Sequence, residues 1–200
     1  MIKNIVFDIG NVLANFRWKE FMQDKGFDEA MIQRIARASV MNPAWDEFDR
    51  GEWSEERTMA AFVAADPGIE AELHQAYDNI REMVTPRDFA IPWIRDLKKR
   101  GFHVYCLSNF SKKAYDECRH ALGFLGELDG GILSYRELIV KPNPAIYQLL
   151  LDRYDLKADE CIFFDDMERN VKGAIGCGFH SFVFSTQEQA EADIASLVVV

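Results

Sequence analysis

Two hundred residues give room for one large domain, or for a domain that carries a smaller insert. With 23 Lys and Arg against 33 Asp and Glu, the net charge is −10 at neutral pH, which argues against a nucleic-acid protein, because phosphate backbones are held by clustered Lys and Arg. At 48% hydrophobic and 12% aromatic the chain can build a real core, so wholesale disorder is excluded, and no apolar run approaches the ~20 residues of a membrane helix.

The first segment, Ile2 to Phe7, is a short apolar run ending at Asp8 and Gly10, the pattern of a buried strand that stops at a polar loop. It follows Met1 without signal-peptide design, so a soluble cytoplasmic protein is expected. From about Phe16 to Thr85 the periodicity is helical and no strand is predicted. Met31, Ile32, Ile35 and Ala38 share one helical face. Met59, Phe62 and Val63 share another, in a helix that Ser54-Glu55-Glu56 opens and Asp66-Pro67 closes. After Pro86, helix and strand alternate. The reading is a helix over 87–100 stopped by Gly101, with Pro92 obscuring its start, then a strand over Phe102–Leu107 and a helix over 111–122. A strand near Gly131–Ser134, a helix over Pro144–Tyr154, a strand over Cys161–Phe164, a helix over 168–176 and a strand over Ser181–Phe184 complete it. The four cysteines, Cys106, Cys118, Cys161 and Cys177, show no metal-ligand or CxxC spacing, and the two in apolar runs read as small hydrophobes.

Such alternation with apolar strands predicts an α/β fold: a doubly wound parallel sheet covered on both faces, with an inserted all-helical block. Residues 1–14 and 86–200 form the core and 15–85 the insert. Sites in these sheets gather beyond the carboxyl ends of the strands. The polar residues there are Asp8, then Ser108 and Asn109, then Asp165 and Asp166, with Lys141 reached through a loop. Three carboxylates make an oxygen-rich cluster suited to Mg²⁺. A lysine and a hydroxyl beside it suit a phosphoryl group, towards which a carboxylate can act as nucleophile.

Phe7-Asp8-Ile9-Gly10-Asn11-Val12-Leu13, Leu107-Ser108-Asn109, Lys141-Pro142-Asn143-Pro144-Ala145-Ile146-Tyr147 and Phe163-Phe164-Asp165-Asp166 together resemble the four ordered motifs of the haloacid dehalogenase superfamily, with 15–85 in the place of its helical cap. The resemblance implies an Mg²⁺-dependent phosphatase in which Asp8 becomes an aspartyl-phosphate. Ser108 and the amide of Asn109 would hold phosphoryl oxygens, with Asn11 a further candidate contact, and Lys141 would pair with nucleophile and phosphoryl group. Asp8, Asp166 and the Gly10 carbonyl would ligate the metal, and Asp165 would be a ligand or hold metal-bound water. Two positions depart from the pattern. Gly10 stands where most family phosphatases carry an aspartate that protonates the leaving group and then activates water, a role generally contributing ~10²- to 10⁴-fold. Asn170 stands where an acidic residue is usual.

The Asp-x-Gly-Asn-Val form, the Phe-Phe-Asp-Asp ending and the Arg50-Gly51-Glu52 turn resemble a subgroup that includes α-D-glucose-1-phosphate phosphatases. That implies a small phosphorylated metabolite, first a hexose 1-phosphate, whose anomeric oxygen leaves without a strong acid; rates are then expected to fall steeply as leaving-group pKa rises. Two other readings stand beside this one. One is a catalytically weak binding or regulatory protein on the same scaffold, the other a metal-independent 2-haloacid dehalogenase, although those enzymes carry an aromatic residue at the place of Gly10. In the insert, Trp18, Trp45 and Trp53 read as core residues, with stacking on a sugar as the alternative. Arg17 and Lys19 read as solvated, and none of the four histidines has ligand spacing. The insert holds 8 basic against 15 acidic residues and the rest 15 against 18, so the acidity lies in the insert and favours an uncharged substrate body. Oligomeric state is not legible.

Overall fold

The computed structural model describes residues 1–198, so the expected core runs two positions beyond it. Strand β1 (Asn4–Phe7) is buried along its whole length and ends at Asp8. A short strand, β2 (Ala14–Phe16), leads into five helices: α1 (Trp18–Asp24), α2 (Glu29–Ala38), α3 (Ala44–Arg50), α4 (Glu55–Ala65) and α5 (Glu70–Tyr77). Strand β3 (Val84–Pro86) returns beside β2, antiparallel. Then come α6 (Ala90–Lys99), β4 (His103–Ser108), α7 (Lys112–Glu117), β5 (Gly130–Leu133), α8 (Ser134–Glu137), α9 (Pro144–Tyr154), β6 (Cys161–Asp165), α10 (Glu168–Gly176), β7 (His180–Val183) and α11 (Gln187–Leu197). The main sheet runs β5-β4-β1-β6-β7, every pair parallel.

Side chains alternate across each strand and so build two cores. Ile5, Phe7, Val104, Cys106, Ile162 and Phe164 face α6 and α11, which present Trp93, Ile94, Leu97 and Ile194. Val6, Tyr105, Leu107, Cys161 and Phe163 face α9, which presents Ile146, Tyr147 and Leu150. Burial on both faces is why these strands read as continuous apolar runs. All four cysteines are unpaired thiols.

The elements differ from expectation in five places. The segment 16–85 begins and ends in the β2–β3 ribbon, whose strands are three residues each and pair across seventy positions, too short and too distant to leave a periodic signal. Helix α6 starts at Ala90, with Pro92 in its first turn, where a missing N–H leaves no intrahelical bond unmade. The helix expected over 111–122 stops at Glu117. There Glu117 Oε2 accepts from the Ile80 N–H at 2.7 Å and the Cys118 thiol bonds Ile80 O at 3.3 Å, drawing the chain onto the insert's exit. Helices α8 and α11 had not been anticipated. Ser54 caps α4, accepting from Arg57 N at 3.2 Å. Among the described residues no helix is long and apolar enough to cross a membrane.

Candidate active site

Central strand β1 lies between β4 and β6 in register, Phe7 opposite both Cys106 and Phe164. The three chains therefore end side by side, and the residues just beyond them converge. Asp8 follows β1, held by its N–H to Phe164 O at 2.8 Å. Ser108 closes β4 and Asp165 closes β6, both buried. Lys141 reaches the same point from the loop before α9, and none of its side chain is exposed.

Lys141 Nζ donates to Asp8 Oδ1 at 2.8 Å, Leu107 O at 2.8 Å and Asp165 Oδ2 at 2.6 Å, so each ammonium proton has an acceptor. Burial alone would lower its pKa; the carboxylates of Asp165 and Asp8 outweigh that and hold it above the usual lysine value. Asp8 moves the other way. Burial pushes its carboxyl up to about 7, Asp165 adds repulsion, and Lys141 and the Ser108 hydroxyl pull back. Asn109 fixes the lysine from behind: its Oδ1 accepts from Lys141 N at 2.7 Å and its Nδ2 donates to Lys141 O at 3.1 Å.

Both oxygens of Asp165 are engaged, Oδ1 by Met167 N at 2.8 Å and Oδ2 by Lys141, while Asn170 Nδ2 donates to the two at 3.0 and 3.1 Å. Asp166 is half-buried, its carboxyl raised by burial, and its Oδ2 accepts from Asn11 Nδ2 at 2.9 Å. Asn11 sits at φ 56, in the left-handed region, and its Oδ1 accepts from Phe16 N at 3.1 Å, so its amide ties the loop after β1 to β2 and to Asp166.

Asp8, Asp165 and Asp166 each bring a carboxylate oxygen within 4.8 Å of one another. All-oxygen donors suit a hard divalent cation. Asn170 Oδ1, buried beside them, has no hydrogen-bond partner, the kind of acceptor that a hydrated cation completes. The residues fit such an ion.

Above the cluster lies a cavity of about 280 Å³ lined by Asp8, Gly10, Asn11, Asn109, Lys141, Asp166 and Asn170 on the core side. Phe16, Trp18, Trp45, Phe48 and Met83 supply much of the rest of its wall, so Trp18 and Trp45 belong at once to the aromatic packing and to the cavity. Trp53 is elsewhere, under the Arg57 guanidinium at 4.3 Å. Ser108 is buried beside Asp8 and is not part of the cavity lining, its hydroxyl 3.4 Å from Asn109 O. Arg17 pairs with Asp24 at 2.8 Å and Lys19 with Glu29 at 3.0 Å, and neither lines the cavity, nor does any histidine. Two charged lining residues lie outside the candidates drawn from sequence. Arg169 pairs with Asp46 at 3.4 Å across the mouth. Asp49 had been passed over, although it stands directly before the Arg50-Gly51-Glu52 turn that had been noted.

Comparison with known proteins agrees with this architecture. A HAD family enzyme of Bacteroides thetaiotaomicron, solved in complex with magnesium and inorganic phosphate, superposes with a TM-score of 0.70 at 18% identity, covering 95% of this chain and 99% of that one. L-2-haloacid dehalogenase of Xanthobacter autotrophicus superposes at 0.65 with 20% identity, over 98% and 83%. At these identities the likeness is one of fold. Phosphatase MT3486 of Mycobacterium tuberculosis is 25% identical over 98% of this chain and 95% of its own length. Acyl-CoA dehydrogenase family member 10 of Mus musculus is 36% identical over 72 residues, which is 36% of this chain and 7% of that protein. Residues 2–178 match the haloacid dehalogenase-like hydrolase family, and the chain belongs to it.

Proposed function

We propose that this hydrolase is an Mg²⁺-dependent phosphatase acting on a small phosphorylated metabolite through an aspartyl-phosphate on Asp8. The observation that carries the reading is the Lys141 ammonium held, fully buried, between Asp8 and Asp165 beside the cavity. Asp8 Oδ1 is steadied by that contact while its carboxyl faces the cavity, the geometry of a nucleophile awaiting an electrophile from above. In this reading Ser108 and the Asn109 amide hold the phosphoryl oxygens. Asp8, Asp166 and the Gly10 carbonyl are the metal-holding groups; Asp165, both oxygens engaged, positions Lys141. A bound Mg²⁺ supplies the positive charge that keeps Asp8 ionised and offsets the phosphoryl oxygens. The phosphatase name of the Mycobacterium tuberculosis relative, and the magnesium and phosphate of the Bacteroides thetaiotaomicron enzyme, support the same assignment.

The cavity also bears on the substrate body. Apart from Lys141, the cation in its lining is Arg169, already paired with Asp46, so nothing there awaits a second anionic group. Aromatic walls favour an uncharged ring, with a hexose 1-phosphate first among candidates. Hydrolysis of a panel of phosphate esters, with Mg²⁺ or with chelator, tests the reading. Turnover is expected with the metal and is expected to vanish in Asp8→Asn. Metal-independent halide release from 2-chloropropionate without phosphate release, or no turnover of any ester, would overturn it.

A further inference from the structure

Gly10 offers no proton donor beside Asp8, and one further carboxyl, that of Asp49, lines the cavity. We propose that Asp49, contributed by the helical insert, is the general acid and base of the reaction; this rests on the phosphatase reading. Among the residues lining the cavity there are three carboxylates. Asp8 is the nucleophile and Asp166 belongs to the metal group, which leaves Asp49. No histidine, cysteine or tyrosine lines the cavity, and its two cationic side chains are already paired.

The position of Asp49 is fixed by the core. It lies in the last turn of α3, and its carbonyl accepts from Ser134 Oγ of α8 at 2.5 Å. The same Oγ accepts from Phe110 N at 2.8 Å, one residue beyond the Ser108-Asn109 pair. One buried hydroxyl thus ties the backbone of Asp49 to the loop that would hold the phosphoryl group. Gly51, at φ 77, ends α3 where a Cβ would stand 2.9 Å from the Tyr135 backbone, so the glycine lets the helix seat closely on α8. Asp8 and Asp49 line the same cavity, one from the end of β1 and one from α3 of the insert.

The surroundings favour a protonated carboxyl. Burial pushes Asp49 up to about 8; Asp46 on the same helix and Asp8 across the cavity add to this, while Lys141 and the Trp45 indole pull back. Arg169 of α10 faces Asp46, not Asp49. A neutral acid near the leaving oxygen at neutral pH is what proton donation requires. The steps balance. Asp8 attacks phosphorus, the bond to the ester oxygen breaks, and that oxygen takes the Asp49 proton. The Asp49 carboxylate then takes a proton from the water that attacks the aspartyl-phosphate, which releases phosphate and restores both aspartates.

The test compares kcat/KM for 4-nitrophenyl phosphate, whose leaving group needs no proton, with a simple alkyl phosphate, both with Mg²⁺. With Asp49 in place the wild-type dependence on leaving-group pKa is shallow, and the steep dependence expected from Gly10 alone belongs to Asp49→Asn. That variant should lose about 10²- to 10⁴-fold on the alkyl ester and far less on the nitrophenyl ester. Gly10→Asp in the same background should recover the alkyl activity, because a Cβ at Gly10 meets nothing nearer than Phe16 Cβ at 3.8 Å and Asp8 Oδ2 at 4.0 Å. Equal losses on both esters, no loss, or no recovery by Gly10→Asp in a folded protein would overturn the assignment while leaving the phosphatase reading intact. A steep wild-type dependence does the same without any variant. Absence of all wild-type turnover removes the phosphatase reading, and this one with it.

Discussion

Three acceptors surround the Lys141 ammonium, and two of them are carboxylates nearly or wholly out of water. Each partner here makes the burial of the others tolerable: without the lysine, Asp8 and Asp165 would face each other as uncompensated charges. Removing one partner of such a group is far costlier than replacing the whole group. Lys141→Met keeps the stem and deletes the charge, and is expected to destabilise the fold by about 3–5 kcal/mol. Urea unfolding measures this as a lower midpoint at unchanged slope; a loss well under 1 kcal/mol would show that the carboxylates simply take up protons. Asn170 belongs to the same unit. Its amide nitrogen meets both oxygens of Asp165, a contact that an aspartate at this position could make only when protonated, so the departure from the usual acidic residue suits this packing.

The elements that matter most for the site are the ones with least regular structure. The β2–β3 ribbon joins the insert to the core and is braced by Asn15, whose Nδ2 donates to Thr85 Oγ1 at 3.2 Å and whose Oδ1 accepts from Arg87 at 2.8 Å. On the far side, α3 rests on α8 through Ser134. Ser134→Ala removes the hydroxyl that serves both the Phe110 N–H and the Asp49 carbonyl. The expected cost is about 1–3 kcal/mol. Because both groups border the cavity, kcat/KM should fall along with the melting temperature, whereas a purely structural contact would lower the melting temperature alone. Sequence made α9 legible to the residue, since Pro144 starts it with Asn143 accepting from Ala145 N at 3.0 Å. It did not reveal α8, a single turn between β5 and the loop of Lys141 that ends at Leu138 in the left-handed region.

For the molecule as a whole, a net charge of −10 brings no long-range attraction for a phosphate ester, so attraction has to be local. That makes stability, metal and pH one linked system. In the metal-free protein Asp8 and Asp49 have folded-state values of about 7 and about 8, above their ordinary value of 3.8. Their contribution favours the folded state at acid pH and is lost as pH rises through that range, because the folded state must then carry charges that the unfolded state carries freely. A divalent cation competes with the proton on Asp8. Its stabilisation should therefore be small near pH 5 and larger near pH 8, reaching about 2.7 kcal/mol at a hundredfold excess over Kd. Melting temperatures with Mg²⁺ and with chelator across that range measure it. A metal increment that shrinks as pH rises would refute the competition.

The sequence by itself determined the parallel sheet, the ends of its strands and the residues on those ends, because apolar runs and the polar residues after them are local patterns that survive without tertiary context. Asp8, Ser108, Asp165 and Asp166 were legible for that reason, while Lys141, reached through a loop, was legible only from its motif. Asp49 was not. Asp46, Glu47, Asp49 and Glu52 together look like the solvated face of a short acidic helix. Only the docking of α3 on α8 turns one of those carboxyls toward the cavity while Asp46 pairs with Arg169 at its mouth. Division of labour among Asp165, Asp166 and Asn11 was equally closed to the sequence, since it depends on which oxygen each amide reaches. A strand end is set by neighbours in the chain; the environment of a side chain is set by what folds against it.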